Sequence, residues 1–172
     1  SVLPEQYGRF MIDVFEDWVR HDVAEVYVQQ FDTALSSWYG AGSGMCVHAE
    51  TCGQQLALEH NGDLYSCDHY VQPDHLLGNI EDRPMLELVD LPKQRQFGQD
   101  KLDTLTQFCK DCDVRVACNG GCPKDRFATS PHGERGHHYL CPGYLAFFRH
   151  VREPMEAMVG LIRHHRAPAE LM

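Results

Sequence analysis

Residues 109–122 read CKDCDVRVACNGGC, and this stretch is the most informative part of the chain about its fold. It contains four of the eight cysteines, spaced C-x2-C-x5-C-x3-C. Few apolar residues accompany them, so a metal centre is expected to hold the segment in shape. Four thiolates bind zinc or an iron–sulfur cluster, and the ligand type alone does not separate the two.

The remaining cysteines complete a second set of four; they are Cys46, Cys52, Cys67 and Cys141. Gly120 and Gly121 favour a cluster, because residues without a Cβ let backbone N–H groups approach inorganic sulfide. Zinc loops contain glycine too, so structural zinc remains an alternative. Disulfides are a weaker alternative, since stapled secreted domains are usually shorter and carry a signal sequence.

Composition argues against several classes of function. The 172 residues carry a net charge of −10, which disfavours nucleic acid and anionic membrane surfaces as partners. No apolar run approaches the roughly 20 residues of a spanning helix, and the N-terminus lacks a signal pattern, so a cytoplasmic location is expected. The chain starts at Ser1 without an initiator methionine, which keeps open that it is a piece of a larger protein.

Two histidine pairs, His137-His138 and His164-His165, lie in polar parts of the sequence. Their surroundings predict solvated side chains rather than metal ligands.

Apolar periodicity predicts the elements before the first cysteine. A stripe over residues 4–19 predicts a helix, and Pro4 suits its first turn. Residues 23–28, VAEVYV, are rich in β-branched residues and predict a strand, and residues 33–38 predict a short helix. The Gly/Ser cluster at 40–44 is the best boundary in the chain.

The later elements follow from turn signals and a second stripe. Alternation around Asn61-Gly62, a dipeptide favoured in type I′ turns, predicts that residues 55–60 pair antiparallel with residues 63–67. Residues 84–97 predict a helix interrupted near Pro92, with three side chains inward, namely Met85, Leu86 and Leu88. Residues 144–165 predict a helix in which Pro154 marks a kink or a restart. Burial is expected for Phe147, Phe148, Val151 and Met155.

The arrangement of all eight cysteines resembles the SPASM domain, the auxiliary-cluster extension of radical S-adenosylmethionine peptide-modifying enzymes. The intervening sequences LALEHNGDLYSCDHYV, LLGNI, CNGGCPKDRF and YLCPGYLAFF are similar to those of the anaerobic sulfatase-maturating enzymes. The resemblance implies an α+β fold of a β-hairpin, helices and cysteine-rich cluster loops, preceded by the last helix and strand of a partial α/β barrel. The implied segments are 1–45 for the barrel remnant, 46–141 for the SPASM domain and 142–172 for a C-terminal helical segment.

The resemblance also implies two 4Fe–4S clusters with interleaved ligands. The first auxiliary cluster is matched by Cys46, Cys52, Cys67 and Cys122, and the second by Cys109, Cys112, Cys118 and Cys141. Each cluster has four cysteines, which leaves no open iron and limits both to electron transfer or structural roles. Asp68 matches an aspartate used as a general base. The residues alone instead favour a structural role for Asp68, either capping the turn after the second strand or accepting backbone hydrogen bonds.

The implied parent enzyme oxidises a sulfatase Cys or Ser to Cα-formylglycine, with an unfolded or nascent sulfatase as its partner. This chain has no C-x3-C-x2-C triplet, so S-adenosylmethionine and a third 4Fe–4S cluster are expected in an upstream barrel acting in cis, and the fragment alone is expected to be inactive. The alternatives are a SPASM domain of another radical peptide maturase and a zinc-binding interaction module. Zinc or empty sites are the expected contents of an air-exposed sample.

Overall fold

The computed structural model describes residues 2–171, so Ser1 and Met172, the ends of two predicted segments, lie outside the described residues. The fold is the predicted α+β mixture of helices and two small antiparallel sheets. The chain divides into two compact units. Unit 1 contains the residues up to Ala49 and those from Thr106 on, and unit 2 is Glu50–Leu105. Over residues 2–171, every helix is too short or too polar to cross a bilayer.

The helices in chain order are α1 (Pro4–His21), α2 (Gln29–Tyr39), α3 (Met85–Val89), α4 (Pro92–Asp103), α5 (Gln107–Lys110), α6 (Arg115–Cys118) and α7 (Cys141–Arg163). The strands are β1 (Ala57–Leu58), β2 (Asp63–Tyr65), β3 (Leu76–Asn79), β4 (Ala128–Thr129) and β5 (Arg135–His137). The first sheet has the order β1-β2-β3, and β4 pairs with β5 in the second.

An aromatic core between α1, α2 and α7 holds unit 1 together. The predicted burial in α7 is confirmed, since four of its side chains are fully inaccessible; they are Phe147, Phe148, Val151 and Met155. The ring centroids of Phe15 in α1 and Phe31 in α2 lie 6.4 Å and 5.9 Å from that of Phe147, and 5.2 Å from each other. Helix α7 runs through Pro154 without ending, so the restart considered for this position is wrong. The apolar stripes of α1 and α7 are therefore the two sides of one core.

Helices α1 and α7 approach each other backbone to backbone at two glycines. A Cβ on Gly8 would lie 2.8 Å from the Cα of Gly143, and a Cβ on Gly143 would overlap the carbonyl oxygen of Pro4. Only residues without a side chain permit this separation.

The strand predicted at residues 23–28 is wrong, because this segment is a turn. The carbonyl oxygen of Asp22 accepts hydrogen bonds from the N–H groups of Glu25 and Val26, and Ala24 has a φ of 68°. The indole of Trp18 donates to the carbonyl oxygen of Val26 at 2.8 Å. Val23 is buried in the aromatic core, so its apolar character reflects burial in a turn rather than pairing in a sheet.

The helix predicted at residues 33–38 is present and longer than expected, as α2. It ends where Gly40 adopts a left-handed conformation with a φ of 95°. The Gly/Ser cluster predicted as a boundary thus begins with a helix cap.

The hairpin predicted around Asn61-Gly62 is confirmed in unit 2, with shorter strands than expected. Ala57 pairs with Tyr65 and Leu58 with Leu64. A type I′ turn would require positive φ at both central residues, but only Gly62 has it, at 86°. The N–H of Gly62 instead donates to the carbonyl oxygen of Glu59.

The helix predicted over residues 84–97 is interrupted at Pro92 as expected, which makes it the two helices α3 and α4. Leu88 is buried against the hairpin, but Met85 and Leu86 are 47% and 81% exposed, so their predicted inward orientation is wrong. Helix α3 has only five residues, which is too short to present a continuous apolar stripe to the core.

Candidate metal centre

Four cysteines of unit 1 border one recess of about 370 Å³, which includes its opening to solvent. They are Cys109, Cys112, Cys118 and Cys141, and all four are free thiols. Cys122 is absent from this lining although it is only four positions from Cys118. The rings of Phe108 and Tyr144 and the side chain of Val114 supply apolar walls.

Cys109 is held by a short helix whose N-terminus is capped from two sides. The Thr106 hydroxyl accepts the N–H of Cys109 at 3.3 Å. The carboxylate of Glu134 accepts the N–H groups of Gln107 at 2.7 Å and Phe108 at 3.2 Å. These bonds satisfy donors that α5 itself leaves without an intrahelical acceptor. They also lower the pKa of Glu134, the Gln107 N–H being the largest cause.

A left-handed turn directs backbone N–H groups at the sulfur of Cys118. Asn119, Gly120 and Gly121 all have positive φ, at 47°, 70° and 63°. The N–H groups of Gly120 and Gly121 oppose the rise in the pKa of the Cys118 thiol, and the Gly121 N–H also donates to the Cys118 carbonyl oxygen at 3.2 Å. A Cβ on Gly121 would overlap the ring of His138, so this position has space only for glycine. Successive N–H groups in such a turn form an anion-binding concavity, as sequence analysis expected of the glycines.

Arg126 donates hydrogen bonds to the carbonyl oxygens of the same turn. Its guanidinium donates to the carbonyl oxygen of Gly120 at 3.0 Å and to those of Asn119 and Gly121 at 3.2 Å. Three hydrogen bonds from one planar group fix the turn and, with it, the position of Cys118.

An ion-pair cluster ties the loop after Cys112 to helix α7. The Asp113 carboxylate accepts from Arg149 at 2.9 Å and from Arg152 at 2.7 Å, and Arg152 also donates to the Asp113 carbonyl oxygen. The Arg149 guanidinium is the largest cause of the lowered pKa of Asp113. Cys141 begins this same α7, so one helix supplies a cysteine and anchors the loop that carries another.

The recess disfavours the thiolate form of two of its cysteines. Burial raises the pKa of Cys118 to about 12 and that of Cys141 to about 12, and the other cysteines add to both shifts by like-charge repulsion. Four thiolates so close together require a compensating cation, which a metal group would supply. The donor set therefore fits a group bound by four cysteines.

His137 and His138 are buried, with 4% and 3% exposure, so their predicted solvation is wrong. The reason is the β4–β5 hairpin, in which His137 pairs with Ala128, so that this polar segment folds back beside the cysteine loops. His138 borders the recess, and its Nδ1 accepts the N–H of Leu140 at 3.0 Å. His137 Nδ1 lies 3.7 Å from the Sγ of Cys109, and burial lowers the pKa of His137. His164 and His165 are exposed, as predicted.

Two cysteines of the other predicted set lie in unit 2, where Gln94 connects their segments. The buried side chain of Gln94 donates to the carbonyl oxygen of Gly53 at 2.7 Å and to that of Ser66 at 3.1 Å. Gly53 directly follows Cys52, and Ser66 directly precedes Cys67. One glutamine amide therefore fixes both cysteine-bearing segments, a role that sequence reasoning missed because it depends on the fold of α4.

The remaining two cysteines of that set, Cys46 and Cys122, lie in unit 1. The Asn119 side chain donates to the carbonyl oxygen of His48 at 2.8 Å, and His48 Nδ1 lies 3.3 Å from the carbonyl oxygen of Cys118. These contacts place the turn after Cys46 next to the turn that leads to Cys122. His48 is buried, between the rings of Tyr144 and Phe148.

Asp68 is exposed at the start of a 3-10 turn, Asp68–Tyr70. The thiol of Cys67 donates to Asp68 Oδ1 at 3.2 Å, and this bond is the largest cause of the lowered pKa of Asp68. The backbone N–H groups of His69 and Asp68 also lower this pKa, and the Asp68 N–H donates to the carbonyl oxygen of Gln55 at 3.3 Å. The side chain is therefore a carboxylate beside a predicted cluster ligand.

Comparisons with known proteins connect this geometry to a family. Residues 46–113 match the model of the SPASM family, described as an iron–sulfur cluster-binding domain. The serine-type anaerobic sulfatase-maturating enzyme of Bacteroides thetaiotaomicron is 43% identical over 172 residues, which is 100% of this chain and 42% of that protein. The cysteine-type enzyme of Clostridium perfringens is 30% identical over 153 residues, which is 88% of this chain and 41% of that protein.

A solved structure agrees with these sequence relatives. Native anSMEcpe with bound AdoMet and Kp18Cys peptide gives a TM-score of 0.81 at 28% identity, covering 93% of this chain and 44% of that one. The chain thus spans less than half the length of these sulfatase-maturating relatives. Residues 46–113 therefore match the SPASM family of iron–sulfur cluster-binding domains, and the chain as a whole is similar to a part of the anaerobic sulfatase-maturating enzymes.

Proposed function

We propose that this chain is the auxiliary-cluster region of a radical S-adenosylmethionine enzyme that oxidises a sulfatase side chain to Cα-formylglycine. The observation that carries the proposal is the recess bordered by four cysteines in a chain that contains a SPASM match. The radical-generating barrel and the sulfatase polypeptide are its partners, the barrel in cis. The higher identity to the serine-type relative, 43% against 30%, favours a serine target.

We propose two interleaved ligand sets of four cysteines. Cys109, Cys112, Cys118 and Cys141 hold one 4Fe–4S cluster, and Cys46, Cys52, Cys67 and Cys122 hold the other. The absence of Cys122 from the recess lining supports this division. When bound, such clusters accept and pass on single electrons. Full cysteine ligation excludes substrate and S-adenosylmethionine from direct binding to either cluster.

The residues of the chain have distinct tasks in this proposal. The N–H groups of Gly120 and Gly121 stabilise negative charge on the Cys118 sulfur, and Arg126 keeps their turn in place. Asp68 accepts the proton that the substrate side chain loses during oxidation to the aldehyde. The barrel supplies the radical, so this region alone does not perform the reaction.

Paired serine substitutions test the ligand division in the anaerobically purified full-length protein. Cys67→Ser with Cys122→Ser removes two ligands of one proposed cluster, so iron and sulfide should each fall by about four per chain. Cys118→Ser with Cys122→Ser damages both clusters, so each should fall by about eight.

If Cys109, Cys112, Cys118 and Cys122 instead held one cluster, the order would be reversed. Iron and sulfide would then fall more in Cys67→Ser with Cys122→Ser than in Cys118→Ser with Cys122→Ser. Zinc without acid-labile sulfide in the unsubstituted protein would contradict the proposed function itself. Formylglycine in a sulfatase peptide, detected by mass spectrometry, tests the reaction.

A further inference from the structure

We propose that His137 donates a hydrogen bond from Nδ1 to the Sγ of Cys109 and thereby raises the reduction potential of the cluster that Cys109 holds. The inference rests on the proposed cluster and adds a positioning residue outside its cysteine ligands. The distance of 3.7 Å between Nδ1 and Sγ is normal for a hydrogen bond to sulfur.

The surroundings of His137 leave its ring little freedom. The side chain is 4% exposed, and its ring meets the edge of Phe108 with centroids 5.3 Å apart. It stands at the end of β5, on the hairpin whose Glu134 caps the helix that carries Cys109. The same hairpin therefore fixes the ring and the cysteine relative to each other.

The chemistry of Cys109 selects the tautomer of His137. Nδ1 also lies 3.3 Å from the Thr106 hydroxyl, which could donate to an unprotonated nitrogen. A metal-bound cysteine sulfur has no proton and carries negative charge, so it accepts hydrogen bonds only. A nitrogen lone pair facing that sulfur would be repelled, whereas Nδ1–H is attracted to it. Ligation of Cys109 therefore favours the Nδ1–H form.

A hydrogen bond to a ligand sulfur acts more strongly on the reduced cluster, because reduction adds negative charge to the sulfur. Such bonds are a recognised means of raising cluster potentials. The hydrogen bond from His137 is thus expected to stabilise the reduced cluster more than the oxidised cluster. A site without this bond would have a lower reduction potential.

Three variants of the full-length, anaerobically purified protein separate this bond from mere packing. His137→Leu removes the donor and keeps bulk, His137→Asn keeps an N–H donor near the position of Nδ1, and His132→Gln alters an exposed histidine on the other contact of Phe108. Redox titration followed by electron paramagnetic resonance gives the midpoint potential of each cluster.

His137→Leu should lower the reduction equilibrium constant of one cluster about tenfold, which is about 59 mV for a one-electron couple. His137→Asn and His132→Gln should stay near the unsubstituted value. Equal potentials in all four proteins, with iron and sulfide unchanged, would overturn the hydrogen bond and leave the proposed function standing. Absence of the cluster from the unsubstituted protein would overturn both.

A spectroscopic measurement covers the case in which His137→Leu does not assemble. Labelling all histidines with ¹⁵N should give a weak nitrogen coupling to the reduced cluster of the unsubstituted protein, detected by pulsed resonance. The contribution of His137 should disappear in His137→Asn, because asparagine is not labelled, whereas any coupling from His138 at the same recess should remain. A spectrum without any labelled coupling, or one that is identical in His137→Asn, rules the proposal out.

Discussion

The hydrogen bond between Cys67 and Asp68 depends on a proton that a cluster ligand no longer has. The thiol of Cys67 donates to Asp68 Oδ1. Once the sulfur binds iron it is a thiolate, which cannot donate. The Asp68 carboxylate then loses this donor and keeps the influence of the nearby His69 N–H, and under the proposed function it accepts the substrate proton. Cluster assembly and base activity would thus be linked through one atom.

Asp68→Asn in the full-length enzyme should uncouple the two halves of the reaction. Asparagine keeps the shape of the side chain but cannot accept the proton, so formylglycine should fall by about 10²- to 10⁴-fold while 5′-deoxyadenosine continues to form with substrate peptide. Mass spectrometry of the peptide and chromatography of the nucleoside measure the two products. Asp74→Asn, an exposed carboxylate in the next turn, is the matched control. Formylglycine at the native rate in Asp68→Asn would leave the residue a turn-stabilising role.

The chemical role of a side chain could be predicted where it depends on spacing along the sequence, but not where it depends on burial in the fold. The spacing of the cysteines predicts metal ligands, and four of them border one recess of the structure. His137 and His138 were predicted to be solvated because their neighbours in sequence are polar. They are buried because of the fold of the β4–β5 hairpin, which the sequence did not predict. Gln94 and Arg126 had no signal, since a glutamine or arginine that bonds to carbonyl groups looks like any surface residue.

At the scale of elements, the closest contact in unit 1 is the crossing of α1 and α7 at Gly8 and Gly143. Gly8→Ala should destabilise the protein, although alanine favours helix by up to about 1 kcal/mol. The added Cβ would meet backbone atoms of Gly143, which cannot rotate away, so a net cost of about 1–3 kcal/mol is expected from overpacking. Denaturant unfolding of the anaerobic protein, followed by circular dichroism, measures the difference.

Gly160 in the same α7 is the matched control for that substitution. No atom lies within 4 Å of the position of its Cβ, so Gly160→Ala should stabilise the helix by about 0.5–1 kcal/mol. If both substitutions changed stability in the same direction, the close crossing of α1 and α7 would be wrong.

Long elements were predicted better than short ones. Helices α1 and α7 have stripes over four or more turns, and the structure confirms both. Residues 23–28 had the composition of a strand, yet Val23 packs into a core that contains no sheet. Six residues do not carry enough periodicity to distinguish a buried turn from a strand.

For the whole molecule, the aromatic core and the cysteine loops should respond differently to loss of metal. The core of unit 1 buries Phe15, Phe31 and Phe147 without any ligand. Residues 106–125 contain only helices of four residues or fewer and depend on their caps and on the cysteines for their shape. Removal of iron with a chelator should therefore open residues 106–125 to proteases while most helical circular dichroism remains.

Limited proteolysis with mass spectrometry locates the cuts, and the untreated protein under the same protease is the reference. Cooperative loss of all helix on chelation would show instead that the metal sites hold the core of unit 1 together.

Unit 1 is made from the two ends of the described chain, and this has a consequence for its synthesis. Helix α1 ends at His21 and its partner α7 begins at Cys141, so about 120 residues must be translated between them. At about 5–20 residues per second, this interval is on the order of 6–24 s. Throughout it, Phe15 lacks the Phe147 ring that it meets in the folded unit, while the cysteines of unit 2 emerge in turn. The apolar stripe of α1 therefore stays without its α7 partner on the ribosome for the whole of this interval.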